Sequence, residues 1–260
     1  MIVVTGATGN VGRPLMRELL AAGERVTAVS RHSPPENPAG LRHHRADLAA
    51  PQTLKPALEG AEALFLLTSG DFMAQGGNLD DVLEVVRAGG VRRVVLLSSQ
   101  GVATGDHPSE LEDTVRRSGL EWTMLRPAGF HSNTLQWASA VRAQRTVAAP
   151  FGDVALPTVD PEDIAQVAAV ALRDPGQAGR VHELTGPAPI SPRQQTAAIA
   201  DTLGEPVRFV EQTRGEARAE MVRCRVGGPQ RLCLPVTCGF RAIDALRGPT
   251  GSHLAYPHAP

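Results

Sequence analysis

The chain has 260 residues, a formal net charge of -1 and 42% hydrophobic residues. That length and apolar content suit one large domain, or a nucleotide domain with a smaller covering part. The near-neutral charge supplies no field for DNA, RNA or an anionic membrane, and no apolar run approaches the roughly 20 residues that span a bilayer.

Ile2-Val3-Val4-Thr5 reads as a buried first strand. Gly6-Ala7-Thr8-Gly9-Asn10-Val11-Gly12 follows, and Val11, Leu15 and Leu19 then recur at helical spacing. A strand, a Gly-x-x-Gly-x-x-Gly turn and an amphipathic helix make a place for a pyrophosphate. Gly6 lets the chain turn sharply, Gly9 keeps side chains off the diphosphate, and Gly12 lets the helix lie close on the strand. The helix start then turns its amides and positive dipole end toward the anion.

Arg25–Ser30 reads as a second strand, and Pro34, Pro35 and Pro38 mark a loop. A short third strand is expected at Leu41–Arg45, a helix at Pro51–Leu58 and a buried fourth strand at Ala63–Thr68. Leu79–Ala88 has helical spacing, Arg93–Ser98 reads as a fifth strand, Leu111–Arg117 as a helix and Glu121–Leu125 as a sixth strand. Continuous apolar strands between helices predict a parallel sheet covered on both faces. After Pro127 the rhythm loosens. Helices are expected at Leu135–Ala143, Pro161–Leu172 and Ser191–Leu203, and strands at Val181–Thr185 and Val207–Val210. From Arg223 onward no period persists, and residues 223–260 read as an irregular tail without catalytic residues. That tail holds Cys224, Cys233 and Cys238, read as free thiols in a reducing compartment. The N-terminus reads as core strand rather than signal peptide, so a cytoplasmic location is expected.

Ligands in such sheets lie beyond the carboxyl ends of the strands, so the residue at each strand end identifies the cofactor. Strand two ends at Ser30-Arg31. Arg31 offers a planar cationic fork for a 2′-phosphate, which favours NADP(H) over NAD(H), with Arg13 as a second contact. Asp47 after strand three can accept from the adenine amino group while Leu48 packs on the ring; a helix-capping or loop role is the competing reading. Thr68 and Ser69, and Ser98 and Ser99, end strands four and five, where small hydroxyls can face ribose or nicotinamide.

The opening motif resembles that of the atypical short-chain dehydrogenase/reductases, specifically the NmrA-like NAD(P)-binding family. Leu125-Arg126-Pro127-Ala128-Gly129-Phe130, Val159-Asp160-Pro161-Glu162-Asp163-Ile164-Ala165 and Leu184-Thr185-Gly186-Pro187 are similar to later segments of that family. The resemblance covers about residues 1–220. It implies an α/β fold: a Rossmann-type doubly wound parallel sheet with a small C-terminal part closing over the nicotinamide. The expected division is residues 1–130 for the dinucleotide domain and 131–222 for the substrate-covering region, with returning elements of the sheet. Gly6, Thr8, Gly9, Asn10, Val11, Gly12 and Arg31 carry over as cofactor positions, with Pro127 and Phe130 near the nicotinamide end. Asp160 and Asp163 are expected to cap a helix.

Typical short-chain dehydrogenases use a Tyr-x-x-x-Lys pair, in which the lysine lowers the tyrosine pKa and the tyrosine protonates a carbonyl. This chain has one lysine, Lys55, and one tyrosine, Tyr256, so no such pair exists. Three consequences follow as alternatives. Hydride goes to an acceptor that needs little protein acid, such as a quinone or a conjugated dye. Another side chain, His131 or His107, supplies the proton. Or the protein senses nucleotide without turnover. His131 and Ser98 are the candidate catalytic residues, and Trp137, Phe130 and Phe151 are candidate pocket aromatics, with core packing as their alternative role. The leading expectation is an NADP(H)-dependent oxidoreductase acting on a quinone-like or polycyclic aromatic molecule, as monomer or homodimer. An aromatic-polyketide tailoring enzyme is the alternative within catalysis. His43-His44 lack partners at ligand spacing, so no metal is expected.

Overall fold

The parallel strands that the apolar runs predict assemble into one sheet. A computed structural model describes residues 1–31, 41–68, 72–73 and 76–226. The proline loop, Ser69 and the stretch from residue 227, with Cys233, Cys238 and Tyr256, lie outside the described residues.

Within them the chain runs β1 (Ile2–Thr5), α1 (Gly12–Ala21), β2 (Val26–Ser30), β3 (Arg42–Arg45), a 3-10 turn (Pro51–Leu54) leading into α2 (Lys55–Leu58), and β4 (Ala63–Leu66). Then come α3 (Leu79–Ala88), β5 (Arg93–Leu97), α4 (Gln100–Thr104), α5 (Glu110–Arg117) and β6 (Glu121–Pro127). A 3-10 segment (His131–Trp137) continues into α6 (Ala138–Gln144), followed by β7 (Thr146–Ala149), α7 (Pro161–Arg173), β8 (Arg180–Leu184), α8 (Pro192–Leu203), β9 (Arg208–Glu211) and α9 (Arg214–Val226).

The seven-stranded sheet has the order β3-β2-β1-β4-β5-β6-β8, with every pairing parallel. The order reverses at β1. Val3 pairs Thr27 of β2 on one side and Leu64 of β4 on the other. The carboxyl end of β1 is therefore the switch point where such sheets open a crevice.

Alternate residues of each central strand feed two cores. Val3, Leu64, Leu66, Val94, Leu96 and Met124 pack under α2, α3 and α5. Ile2, Val4, Phe65, Val95 and Leu125 pack under α1 and α7. This is why the strands are apolar without alternation: both faces are covered. Phe65 is fully buried at the centre, and burial of a side chain of that kind contributes roughly 1.5–3 kcal/mol.

Two helices start as the capping residues predict. Asp160 accepts from the Glu162 amide at 2.9 Å, with Pro161 at the first helical position. Ser191 and Gln194 form a reciprocal capping box before α8. Asp163 makes no capping bond and stands in the first turn of α7.

The region after Pro127 differs from expectation in three places. The expected Leu135–Ala143 helix divides into the 3-10 segment and α6. Thr146–Ala149 is a strand pairing β9 in a separate two-stranded parallel sheet. The chain from Arg214 to Val226 is helical, so helix extends past the expected boundary at residue 223. Within 131–222, β8 joins the main sheet and α7 packs on it, the returning elements that the expected division includes.

Candidate functional site

The turn after β1 is built for close approach. Gly6 has φ +64, a left-handed conformation that side chains disfavour. A Cβ on Gly12 would overlap the Gly6 carbonyl oxygen and stand 2.8 Å from Ala7 Cα, so only glycine lets α1 begin this close to the turn. Gly9 differs: beyond the Gly6 carbonyl oxygen at 3.1 Å, the space over its Cα is open.

The start of α1 is left for an anion. Its N-cap, Val11, supplies no side-chain bond, and its first turn holds no acidic residue. No described residue accepts from the amides of Asn10 or Val11. By contrast, α3, α7 and α8 are capped by Asn78, Asp160 and Ser191, and acidic residues occupy the first turns of α3 and α7. Orphan amides at a helix start attract a phosphate. Bare backbone, open space at Gly9 and an uncapped helix together fit a dinucleotide diphosphate.

The strand ends beside this cradle carry the expected residues. Arg31 follows β2, half-buried. Arg45, the last residue of β3, donates its Nε to the Arg31 carbonyl at 3.0 Å, placing a second guanidinium at the same edge. Asp47 is exposed, and its Oδ1 accepts from the Ala49 amide at 3.0 Å, the loop role weighed against adenine recognition. Leu48 packs against the core under α2 and α3. His43 is bonded through Nε2 to Ser30 Oγ at 2.8 Å; burial and the neighbouring His44 charge push its pKa down.

Beyond the cradle lies a cavity of about 400 Å3. Gly9, Asn10, Arg13 and Arg17 form one side and His131, Ser132 and Thr134 another, with Asp160 to Glu162 between. Asn10 Nδ2 donates to Ser132 Oγ at 3.1 Å, joining the glycine turn to the 3-10 segment. Arg17 pairs with Glu162 at 2.8 Å, both well exposed. The structure brings His131 to this cavity. His107 instead packs back on α4, where its Nδ1 lies 2.7 Å from the position a Gly101 Cβ would take. None of the three candidate aromatics lines the cavity: Phe130 packs into the core beside Val159, Phe151 lies under the Arg214 guanidinium at 5.6 Å, and Trp137 ends the 3-10 segment. Thr68 is half-buried just past β4. Pro127 is buried at the end of β6, paired with Leu184.

Sequence reasoning missed Glu112. It lies on α5 with its side chain 1% exposed. Oε1 accepts from Ser98 Oγ at 2.6 Å and Arg126 Nε at 2.9 Å. Oε2 accepts from Arg126 Nη2 at 2.8 Å and Arg116 Nη2 at 2.9 Å. Burial alone would raise its pKa. Hydrogen bonds from Arg126 and Ser98 and the charges of Arg126 and Arg116 outweigh that and hold it below the usual value. The signal available in the sequence was Arg126 itself, a charge set in an apolar strand that needs a buried partner.

Comparison with known proteins agrees with this geometry. The profile of the NAD(P)H-binding family matches residues 6–175. The (4-alkanoyl-5-oxo-2,5-dihydrofuran-3-yl)methyl phosphate reductase of Streptomyces griseus subsp. griseus is 36% identical, covering 85% of this chain and 80% of that protein. The NAD(P)H azoreductase of Xenophilus azovorans is 30% identical, covering 89% and 83%. Among solved structures, the NADPH-dependent quinone oxidoreductase of Escherichia coli complexed with NADPH superposes with a TM-score of 0.72 at 26% identity, covering 88% of this chain and 84% of that one.

Proposed function

From the premise that the chain belongs to the NAD(P)H-binding family and is an NAD(P)H-dependent oxidoreductase, we propose that it reduces an electron-poor, conjugated small molecule of the quinone-like or polycyclic aromatic kind. The observation that carries the cofactor part of this reading is the uncapped start of α1 against bare glycine backbone. NADP(H) is the cofactor, and when bound it supplies hydride from its nicotinamide ring.

The protein's own residues divide the work. Gly6, Gly9 and Gly12, with the amides of Asn10 and Val11, would hold the diphosphate; Thr8 stands exposed on the same turn. Arg31, with Arg45 beside it, would hold the 2′-phosphate. Thr68, Ser98, Pro127 and Phe130 would stand toward the nicotinamide end by their strand-end positions, and His131 is the imidazole that lines the cavity. Ser69 belongs to the same proposed group by sequence alone.

The substrate class follows from what the chain lacks. Without a Tyr-x-x-x-Lys pair, no tyrosine lies poised to protonate an isolated carbonyl as hydride arrives. Quinones, azo compounds and acyl-substituted unsaturated lactones are the acceptors named for the relatives. Each can spread the incoming negative charge over a conjugated system, so less acid assistance is needed. The purified protein should oxidise NADPH with naphthoquinones, azo dyes and acylated butenolides, followed by loss of nicotinamide absorbance. Simple aliphatic ketones should be inert. Tight NADPH binding with no turnover across that panel would favour a nucleotide sensor instead.

Arg31→Asp tests cofactor choice. It should weaken NADPH binding by about 10–100-fold, the range for a lost hydrogen bond to a charged group, and change NADH binding little. Titrations with both dinucleotides decide it, and equal losses would remove Arg31 from 2′-phosphate recognition.

A further inference from the structure

Ser98 stands just past the carboxyl end of β5, half-buried, with its amide donating to the Leu125 carbonyl at 2.8 Å. A serine hydroxyl has one proton and two acceptor lone pairs. Here the proton is committed: Ser98 Oγ donates to Glu112 Oε1 at 2.6 Å.

The carboxylate cannot release that bond cheaply. Ser98 and Arg126 Nε fill Oε1, and Arg126 Nη2 and Arg116 Nη2 fill Oε2, so four donors occupy roughly four lone-pair sites. The two guanidiniums keep Glu112 ionised, and an ionised carboxylate only accepts. The hydroxyl therefore cannot turn to donate elsewhere without leaving a buried charge short of a partner. No described residue donates to the Ser98 oxygen.

We propose that Glu112 is a positioning residue that makes Ser98 a one-way acceptor, selecting an N–H or O–H group on the bound nicotinamide half or on the reduced substrate. This rests on the cofactor reading above. It removes Ser98 as a proton donor to a carbonyl and gives the oxygen a recognition role. Two donors have the right chemistry: the carboxamide nitrogen of the nicotinamide, and the hydroxyl of a hydroquinone product.

The experiment compares binding of NADP+ with its 3-acetylpyridine analogue, in which a methyl replaces the carboxamide nitrogen. It also compares a naphthohydroquinone with its dimethyl ether, using wild type, Ser98→Ala and Ser98→Thr. If the carboxamide is the donor, wild type prefers NADP+ by about tenfold, Ser98→Ala loses the preference and Ser98→Thr restores it. If the hydroquinone is the donor, the same pattern appears in the second pair. Loss of preference in neither pair overturns the proposal. Absence of dinucleotide binding by wild type overturns the cofactor reading and this one with it. Glu112→Gln adds the positioning test. In a Ser98→Ala background it should change neither preference further while still lowering the melting temperature. A shift in preference independent of Ser98 contradicts action through the serine. Should Glu112→Gln fail to fold, the two Ser98 variants decide the matter alone.

Discussion

Glu112→Ala should lower the unfolding free energy by about 3–5 kcal/mol, the range for removing one partner of a buried ion pair. In a chain of this size that corresponds to a fall of roughly 10 °C in melting temperature. The carboxylate ties three elements together. It sits on α5, holds Arg126 of β6 by two bonds, Arg116 one helical turn on, and Ser98 past β5. Without it, the Arg126 guanidinium, 16% exposed, keeps among the described residues only the Glu183 carboxylate at 4.0 Å. Exposed pairs are the control. Arg17–Glu162 and Arg92–Glu62 have side chains more than 60% exposed, and removing either should cost at most about 1 kcal/mol. Denaturant midpoints for the three variants check this. A Glu112→Ala loss no larger than the surface variants would remove the cluster from the fold's framework.

The same residue sets an acid limit. Its folded pKa lies below the ordinary glutamate value of 4.5. The stability it contributes is therefore full above that value and is lost as pH falls through the lower folded value. Unfolding measured from pH 6 downward should show wild type losing stability below about pH 4.5 more steeply than Glu112→Ala.

The second large effect separates two glycines in one turn. Gly12→Ala should cost about 1–3 kcal/mol of stability, because its Cβ meets fixed backbone at Gly6 and Ala7. It should also abolish NADPH binding, since α1 must shift away from the turn. Gly9→Ala meets only the Gly6 carbonyl oxygen at 3.1 Å, and the rest of its side chain enters open space. It should fold nearly as wild type yet bind NADPH roughly 100-fold more weakly. The methyl lifts the diphosphate off the Asn10 and Val11 amides, and hydrogen bonds to charged groups contribute about 1.5–3 kcal/mol each. Melting curves and dinucleotide titrations on both variants separate the two. Equal stability losses would mean the space over Gly9 is not ligand space.

The dinucleotide half of the fold was legible because its signals are local. Four-residue apolar runs, glycines at fixed intervals and a helical period lie within short windows. Capping was equally local, as Asp160 and Ser191 show. Glu112 was not legible, because its surroundings, Ser109-Glu110-Leu111-Glu112-Asp113, read as a solvated acidic face. Only the docking of α5 against β5 and β6 carries it inward. The β7–β9 pair escaped for a related reason: Thr146–Ala149 is too short and too small to announce a strand before Arg208–Glu211 folds back beside it. The candidate aromatics do not line the cavity beside the cradle, and their size alone does not say which side of them is wet. The cavity is lined by polar and aliphatic groups from three distant segments, a grouping that no spacing encodes.

The most direct test of the central claim is a calorimetric titration of the wild-type protein with NADPH and NADH under identical salt. One-to-one binding with NADPH the tighter ligand is the expected result. No heat from either dinucleotide, or tighter binding of NADH, would contradict a phosphate cradle edged by Arg31.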